Sequence, residues 1–104
     1  MRIGLMLSVV TCALSAYSNI VVAQDVAKVE AGKEVYNAYC VNCHGLDLES
    51  SGVTFDLKRL RANERSRFNN SVLNGKSQMP PWRGVLEARD LEMLWTYIRA
   101  NAYP

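Results

Sequence analysis

The sequence contains only one histidine, His44, and three cysteines, and these shortages limit the metal chemistry open to the chain. A structural zinc site takes four ligands from Cys and His. Cys12 lies in an N-terminal segment that we expect to be removed, so too few ligands remain for such a site. Proline is scarce as well. Because Pro80, Pro81 and Pro104 are the only ones, nothing breaks the long helical segments.

Strong charge, internal repeats and strand patterns are also lacking. The formal net charge is only +2, so the basic composition of a nucleic-acid-binding protein is absent and no nucleic-acid partner is expected. No segment shows sustained alternation of apolar and polar residues, the pattern typical of half-buried strands. The sequence therefore predicts one all-α domain.

The N-terminal segment has the pattern of an export signal. Arg2 supplies the positive charge, Ile3–Ala16 is apolar, and Val21–Ala23 places permitted residues before a cleavage site. Polar residues interrupt the apolar run before it reaches the ~20 residues needed to span a bilayer. We therefore predict a cleavable Sec-type signal peptide at residues 1–23 and a single domain at residues 24–104 with no transmembrane span.

A C-x-x-C-H motif formed by Cys40, Cys43 and His44 has the spacing at which c-type haem is attached. Two thiols one helical turn apart can each add to a vinyl group of one porphyrin, and the adjacent imidazole can bind its iron. The same residues also suit a thioredoxin-like redox pair, half of a zinc site or a structural disulfide. A thioredoxin-like pair follows a strand, whereas the residues before Cys40 are helix-like. The motif therefore favours one covalent haem c with its iron.

Apolar residues at spacings of three and four predict three helices, at residues 26–43, 64–73 and 87–100. Gly32 falls inside the first helix, where glycine costs stability, so we expect a second helix to approach closely there. Asn63 is expected to cap the start of the second helix.

Two methionines of residues 24–104 offer a second iron ligand. Met93 lies beside the apolar stripe of the last helix, which is typical of a core residue. Met79 precedes two prolines, which hold its loop away from helical geometry. We therefore predict His44 and Met79 as the axial ligands, with a Met simply packed under the loop as the alternative. Filling both positions suits one-electron cycling rather than catalysis.

Other residues are expected to complete the site. Leu73 and Trp82 are predicted to wall the haem pocket, and a backbone carbonyl near residues 54–56 is expected to orient His44. Five basic residues fall between positions 58 and 67. They suit a solvated helix face, or else a contact to haem propionates or to an acidic partner.

The chain resembles the class I bacterial cytochromes c. Gly32 and Tyr36 before the C-x-x-C-H motif are similar to the N-terminal helix of that family, and Tyr97 is similar to a position that receives it. Asn74–Lys76 followed by Met79 resembles the loop of the family's methionine ligand. The resemblance implies a cytochrome c fold, with three to four helices around one haem, in a periplasmic electron carrier that is not an enzyme. A monomer is expected.

Four further segments are similar to the haem domains of quinoprotein alcohol dehydrogenases and to the small cytochromes that serve them. These are Phe55–Lys58, Val72–Gly75, Met79–Trp82 and Tyr97–Ala100. The resemblance implies a pyrroloquinoline-quinone-dependent alcohol dehydrogenase or a respiratory complex as electron donor, and a terminal oxidase or another cytochrome as acceptor.

Two positions depart from that pattern. Phe55 stands where the family usually has a proline whose carbonyl accepts a hydrogen bond from the proximal histidine. Lys58 stands where the dehydrogenase domains tend to carry arginine, so a propionate contact there is a point-charge pair rather than a bidentate one. The resemblance implies that Phe55 and Lys58 contact the haem, and Arg59, from the same basic segment, is predicted as a further haem-contacting residue.

Two other function classes remain open on the sequence. One is a haem enzyme or gas sensor with a labile sixth ligand, and the other is a thiol oxidoreductase without haem. An optical spectrum separates the first from an electron carrier, and a haem-stained denaturing gel tests the second.

Overall fold

The structure, a computed structural model, describes the backbone of residues 2–104 and the side chains of residues 20 and 22–104. Its helices are α1 (Arg2–Tyr39), α2 (Val41–His44), α3 (Arg65–Asn74) and α4 (Ala88–Asn101), with short 3₁₀ turns between α2 and α3. Within this described part no β-strand forms, which confirms the all-α prediction. The apolar side chains of the predicted signal segment Ile3–Ala16, and Cys12 within it, lie outside the described residues.

Helix α1 differs from the sequence-based prediction at both ends. It runs without interruption from Arg2, through the predicted cleavage position, and ends at Tyr39 rather than Cys43. The Cys40 amide still donates to the Tyr36 carbonyl at 2.8 Å, but α2 then begins as a separate single turn. The haem motif therefore occupies a break in the helix rather than its last turn.

The close helix approach predicted at Gly32 is present, and α4 is the partner. A Cβ atom at Gly32 would lie 1.9 Å from the Met93 carbonyl oxygen and 2.7 Å from Tyr97 Cβ. One turn further along, the Tyr36 and Tyr97 rings pack with centroids 5.4 Å apart. Because backbone atoms of α4 occupy the space, only glycine fits the crossing.

The start of α3 corrects the prediction that Asn63 is an N-cap. A 3₁₀ turn at Ala62–Glu64 comes first, and α3 begins at Arg65 with Glu64 in the capping position. The Glu64 carboxylate accepts a hydrogen bond from the Arg61 amide at 3.0 Å. This hydrogen bond between residues three apart starts the helical turn at Ala62, one residue before the predicted cap Asn63. Gly75, at φ 77°, follows the last residue of α3 and ends the helix.

Helix α4 supplies five of the eleven buried side chains among the described residues, more than any other helix. Glu87 precedes it and donates its amide to the Asp90 carboxylate at 2.9 Å, so the acidic side chain caps the helix as well as facing its positive end. The fully or nearly fully buried side chains are Tyr36, Leu48, Leu60, Phe68, Val72, Leu86, Leu91, Leu94, Trp95, Tyr97 and Ile98. This core leaves one edge partly covered, where the candidate site lies.

No helix among the described residues has the length and apolarity needed to cross a membrane.

Candidate functional site

The C-x-x-C-H residues are brought together on one tight turn. The Cys43 and His44 amides both donate to the Cys40 carbonyl, at 3.3 and 3.0 Å, and the Gly45 amide donates to Val41 at 2.9 Å. Both sulfurs are free, with Cys40 half-buried against the core and Cys43 exposed. Two thiols and an imidazole therefore project from a single helical turn, as covalent haem attachment requires.

The thiol of Cys40 is not activated. Burial, followed by the nearby Cys43 charge, raises the pKa of Cys40 to about 11. Cysteines of disulfide oxidoreductases instead have depressed pKa values, which supply the reactive thiolate at neutral pH. The environment of Cys40 thus argues against a thiol oxidoreductase.

The imidazole of His44 is held from two sides by the segment that follows the motif. Burial lowers the pKa of His44, while a hydrogen bond to the Phe55 backbone acts in the opposite direction. The Thr54 hydroxyl lies 3.4 Å from His44 Nδ1 and donates to the Cys43 carbonyl at 3.1 Å. A neutral imidazole with one nitrogen engaged by the backbone leaves its other nitrogen for a metal.

A buried phenol also braces this turn, a contact that the sequence reasoning missed. Tyr36 is fully buried and its hydroxyl donates to the Gly45 carbonyl, directly after His44. Burial raises the pKa of Tyr36 well above its usual value. Gly45 has φ 88°, and a Cβ there would meet the Glu49 carbonyl oxygen at 2.1 Å. Tyr36 therefore anchors the chain reversal that follows the histidine.

The loop carrying Met79 is fixed by backbone hydrogen bonds. Lys76 and Met79 exchange two of them, at 3.1 and 2.9 Å, which closes a tight turn. The Trp82 amide then donates to the Val72 carbonyl at 2.8 Å, tying the segment after the prolines to α3. A Cβ at Gly75 would lie 2.7 Å from the Met79 carbonyl oxygen, so the glycine allows the loop to fold back closely.

The predicted pocket-wall residues lie on the same edge of the core. Leu73, Met79, Trp82 and Cys40 are all partly buried and pack against the buried cluster. Trp82 also meets the Tyr39 ring edge-on, with centroids 5.2 Å apart. Two cysteine sulfurs, one oriented imidazole, a thioether and apolar walls form a donor set that fits a covalently bound haem.

The two basic candidates near the site differ in their surroundings. The Lys58 ammonium lies 2.7 Å from the Glu49 carboxylate, which raises the pKa of Lys58, and its side chain is only 18% exposed. Arg59 is 74% exposed and lies 3.8 Å from the Asp56 carboxylate. Lys58 is therefore engaged within the protein, whereas Arg59 extends into solvent.

Comparison with known proteins identifies the class to which this arrangement belongs. The family model described as "Cytochrome C oxidase, cbb3-type, subunit III" matches residues 27–98. The chain is a c-type cytochrome domain and belongs to this family. Membership carries with it a covalently bound haem c and its iron, and it confirms the cytochrome c fold.

The individual relatives are of two kinds, cytochromes and quinohemoprotein alcohol dehydrogenases. Cytochrome c6 of Rippkaea orientalis is 35% identical over 77 residues, which cover 69% of this chain and 69% of the relative. Quinohemoprotein alcohol dehydrogenase ADH-IIG of Pseudomonas putida is 28% identical over 83 residues, or 78% of this chain. Cytochrome c550 of Pseudomonas aeruginosa is 28% identical over 79 residues, covering 69% of this chain and 54% of the relative.

The chain spans only 12% of the length of that dehydrogenase, so the likeness concerns a small part of the larger enzyme. No solved structure matches the chain significantly.

Proposed function

We propose that this cytochrome is a periplasmic one-electron carrier whose haem iron is bound by His44 and Met79. The observation that carries the proposal is the position of His44 at the end of the haem-attachment turn, where the Thr54 hydroxyl lies 3.4 Å from its Nδ1 and donates to the Cys43 carbonyl. Haem c, when bound, supplies reversible one-electron chemistry between ferric and ferrous iron. The chain attaches it through Cys40 and Cys43.

Met79 is proposed as the second ligand because its surroundings favour a fixed thioether. Its backbone is locked by two hydrogen bonds to Lys76, and its side chain packs at the partly covered edge of the core, as Leu73 and Trp82 do. The other candidate, Met93, lies on α4, and its carbonyl forms the contact surface for Gly32. A soft thioether ligand raises the reduction potential and leaves no open position for oxygen or peroxide.

The Thr54, Phe55 and Tyr36 contacts keep the imidazole in one orientation, so the ligand set stays unchanged as the charge on the iron changes. Among the side chains near the site, Leu73 and Trp82 exclude water, and Arg59 is available to a propionate. Fixed ligands and a partly dry pocket favour fast electron transfer over catalysis.

The redox partners are proposed from the proteins to which the chain is similar. Because quinohemoprotein alcohol dehydrogenases contain a similar segment, we propose a pyrroloquinoline-quinone-dependent dehydrogenase or a respiratory complex as donor. A terminal oxidase or another cytochrome is the proposed acceptor. The mature protein is proposed to be a monomer, released by cleavage after Ala23.

The ligand assignment is tested with a matched pair, Met79→Ala and Met93→Ala. We expect Met79→Ala to keep covalent haem on a stained denaturing gel, to lose the thioether-to-iron charge-transfer band, to bind added imidazole and to have a lower reduction potential. Met93→Ala should keep the band. If only Met93→Ala lost it, the roles of the two sulfurs would be reversed.

The carrier function itself is tested on the unmodified protein. The exported holo-protein should be low-spin in the ferric state at neutral pH and should cycle reversibly by one electron. A high-spin ferric spectrum in the unmodified protein would point instead to a haem enzyme or gas sensor. A mass equal to the bare polypeptide, from cells competent in cytochrome maturation, would exclude both.

A further inference from the structure

A concentration of exposed guanidinium groups lies beside the site. We call it the arginine face and define it as Arg59, Arg61, Arg65 and Arg67 together with Phe55. All five side chains are exposed, and the Arg67 guanidinium stacks over the Phe55 ring, 4.8 Å from its centroid. Most of the face lines an open depression of about 410 Å³, together with Asn63 and Glu64.

The positive charge of this face is only partly neutralised by acidic side chains of the same segment. Residues 55–67 carry five basic side chains and two acidic ones, whereas residues 24–54 carry two basic and five acidic ones. Glu64 accepts from Arg67 at 2.8 Å, and Asp56 is only loosely paired with Arg59 at 3.8 Å. Among the described side chains, Arg61 and Arg65 form no ion pair. The domain is thus positive on one face although its net charge is small.

The arginine face adjoins the iron ligand through the backbone. Phe55, the aromatic member of the face, directly follows Thr54 in the chain. Thr54, the residue before it, contacts both Cys43 and His44. A partner seated on this face would therefore lie within one residue of the groups that orient the imidazole.

We propose that the arginine face is the docking surface for an acidic patch on a redox partner protein. The inference rests on the proposed electron-carrier function and names the chemistry of its partner. Planar guanidinium groups match carboxylates in bidentate geometry, and arginine and aromatic residues are enriched where protein interfaces bind tightly.

Docking is measured with an octaglutamate peptide as the probe and the ¹⁵N-labelled ferrous holo-protein, by amide chemical shifts at low ionic strength. We expect shifts concentrated in residues 55–67. Arg61→Glu should weaken binding about 5-fold or more, since charge complementarity changes association by roughly 10- to 1,000-fold over a whole surface. Raising the salt to about 0.15 M shortens the screening length to about 8 Å, which should also weaken binding of the peptide.

Arg65→Glu is a second test variant, chosen because it is expected to fold normally. It places an acidic residue at the first position of α3, where negative charge interacts favourably with the helix dipole, so this variant should fold. It should weaken peptide binding about as much as Arg61→Glu does. The matched control is Arg89→Glu, the same charge change at an exposed position in the first turn of α4. It should change the affinity by less than about 2-fold.

Two results would overturn the proposal. One is peptide binding that weakens equally in Arg89→Glu, since net charge alone would then explain it. The other is no peptide binding while phosphatidylglycerol vesicles retain the wild-type protein but not Arg61→Glu, which would assign the face to a membrane. The haem spectrum of the same samples separates these outcomes from failure of the carrier function: a low-spin, reversibly reduced protein that ignores the peptide contradicts the docking proposal only.

Discussion

The histidine side and the methionine side of the site are built in different ways. On the histidine side, α2 is braced by a fully buried phenol and by the Thr54–Phe55 segment, close to the point where α1 and α4 cross. On the methionine side, a proline-containing loop is fastened to α3 by backbone hydrogen bonds near the surface. The histidine side is stabilised by the core, so the methionine side should unfold first when denaturant is added.

His44→Ala should have the largest effect. Because His44 is the only histidine, no other imidazole can replace it as the iron ligand. We expect essentially no stable holo-protein, measured as haem-stained protein per unit of polypeptide in the exported fraction. Met79→Ala, the equivalent change on the other side, should retain most of its haem. Equal haem yields in the two variants would contradict the difference between the sides.

Gly32→Ala should be the next most damaging change. The added methyl would collide with the backbone of α4 at Met93, so the helices must separate. Overpacking of this kind costs about 1–3 kcal/mol or more of unfolding free energy, which urea denaturation would measure.

Gly52→Ala serves as the comparison for that variant. Gly52 has φ 88° but no atom within 4 Å of a built Cβ, so its cost should be confined to the backbone conformation, about 1–2 kcal/mol. If Gly52→Ala proved the more destabilising of the two, the helix crossing would not be the constraint on residue 32.

Tyr36→Phe should cost about 1–3 kcal/mol, because it removes the hydroxyl that donates to the partly buried Gly45 carbonyl. The loss should also shift the reduction potential, since the turn after His44 loses its anchor. Tyr97→Phe is the control, because its ring packs on Tyr36 but its hydroxyl makes no hydrogen bond among the described residues. A Tyr36→Phe protein with wild-type stability would show that the turn is held by other contacts.

Arg83→Ala should have the smallest effect. The Arg83 guanidinium donates twice to Asn74 Oδ1, at 3.2 and 2.8 Å, on the exposed side of the methionine loop. Its removal should cost less than about 1 kcal/mol, as exposed polar pairs do. We nevertheless expect the thioether-to-iron band to fade at a lower urea concentration than in Arg89→Ala. Identical urea midpoints for the band would mean that this contact does not support the loop.

The sequence predicted the parts of the molecule that depend on local spacing. The C-x-x-C-H turn and the α4 stripe follow from residues a few positions apart, and the structure contains both. The close approach at Gly32 was inferred from the cost of glycine inside a helix, and it is present too. What could not be predicted depends on contacts made after folding. The hydroxyl of Tyr36 finds Gly45 only because the chain reverses there, and Glu64 displaces Asn63 as the cap because of its own bond to Arg61.

Lys58 illustrates the same limit within the site. Its contact to a haem propionate stays a prediction, whereas no sequence pattern indicated that the Glu49 carboxylate would lie 2.7 Å from its ammonium group. The interpretation of the five basic residues likewise needed the structure. Periodicity could not distinguish a solvated helix face from a depression lined by three arginines and an aromatic ring.

The placement of Cys40 has a consequence for how the protein is made. Its sulfur is half-covered and packs against the core, between the end of α1 and the start of α2. Thioether formation adds the S–H group across a vinyl double bond, so the porphyrin edge must reach that sulfur. Because the folded chain leaves that sulfur only partly exposed, we expect thioether formation to be faster in a chain loosened by urea than in the fully folded one.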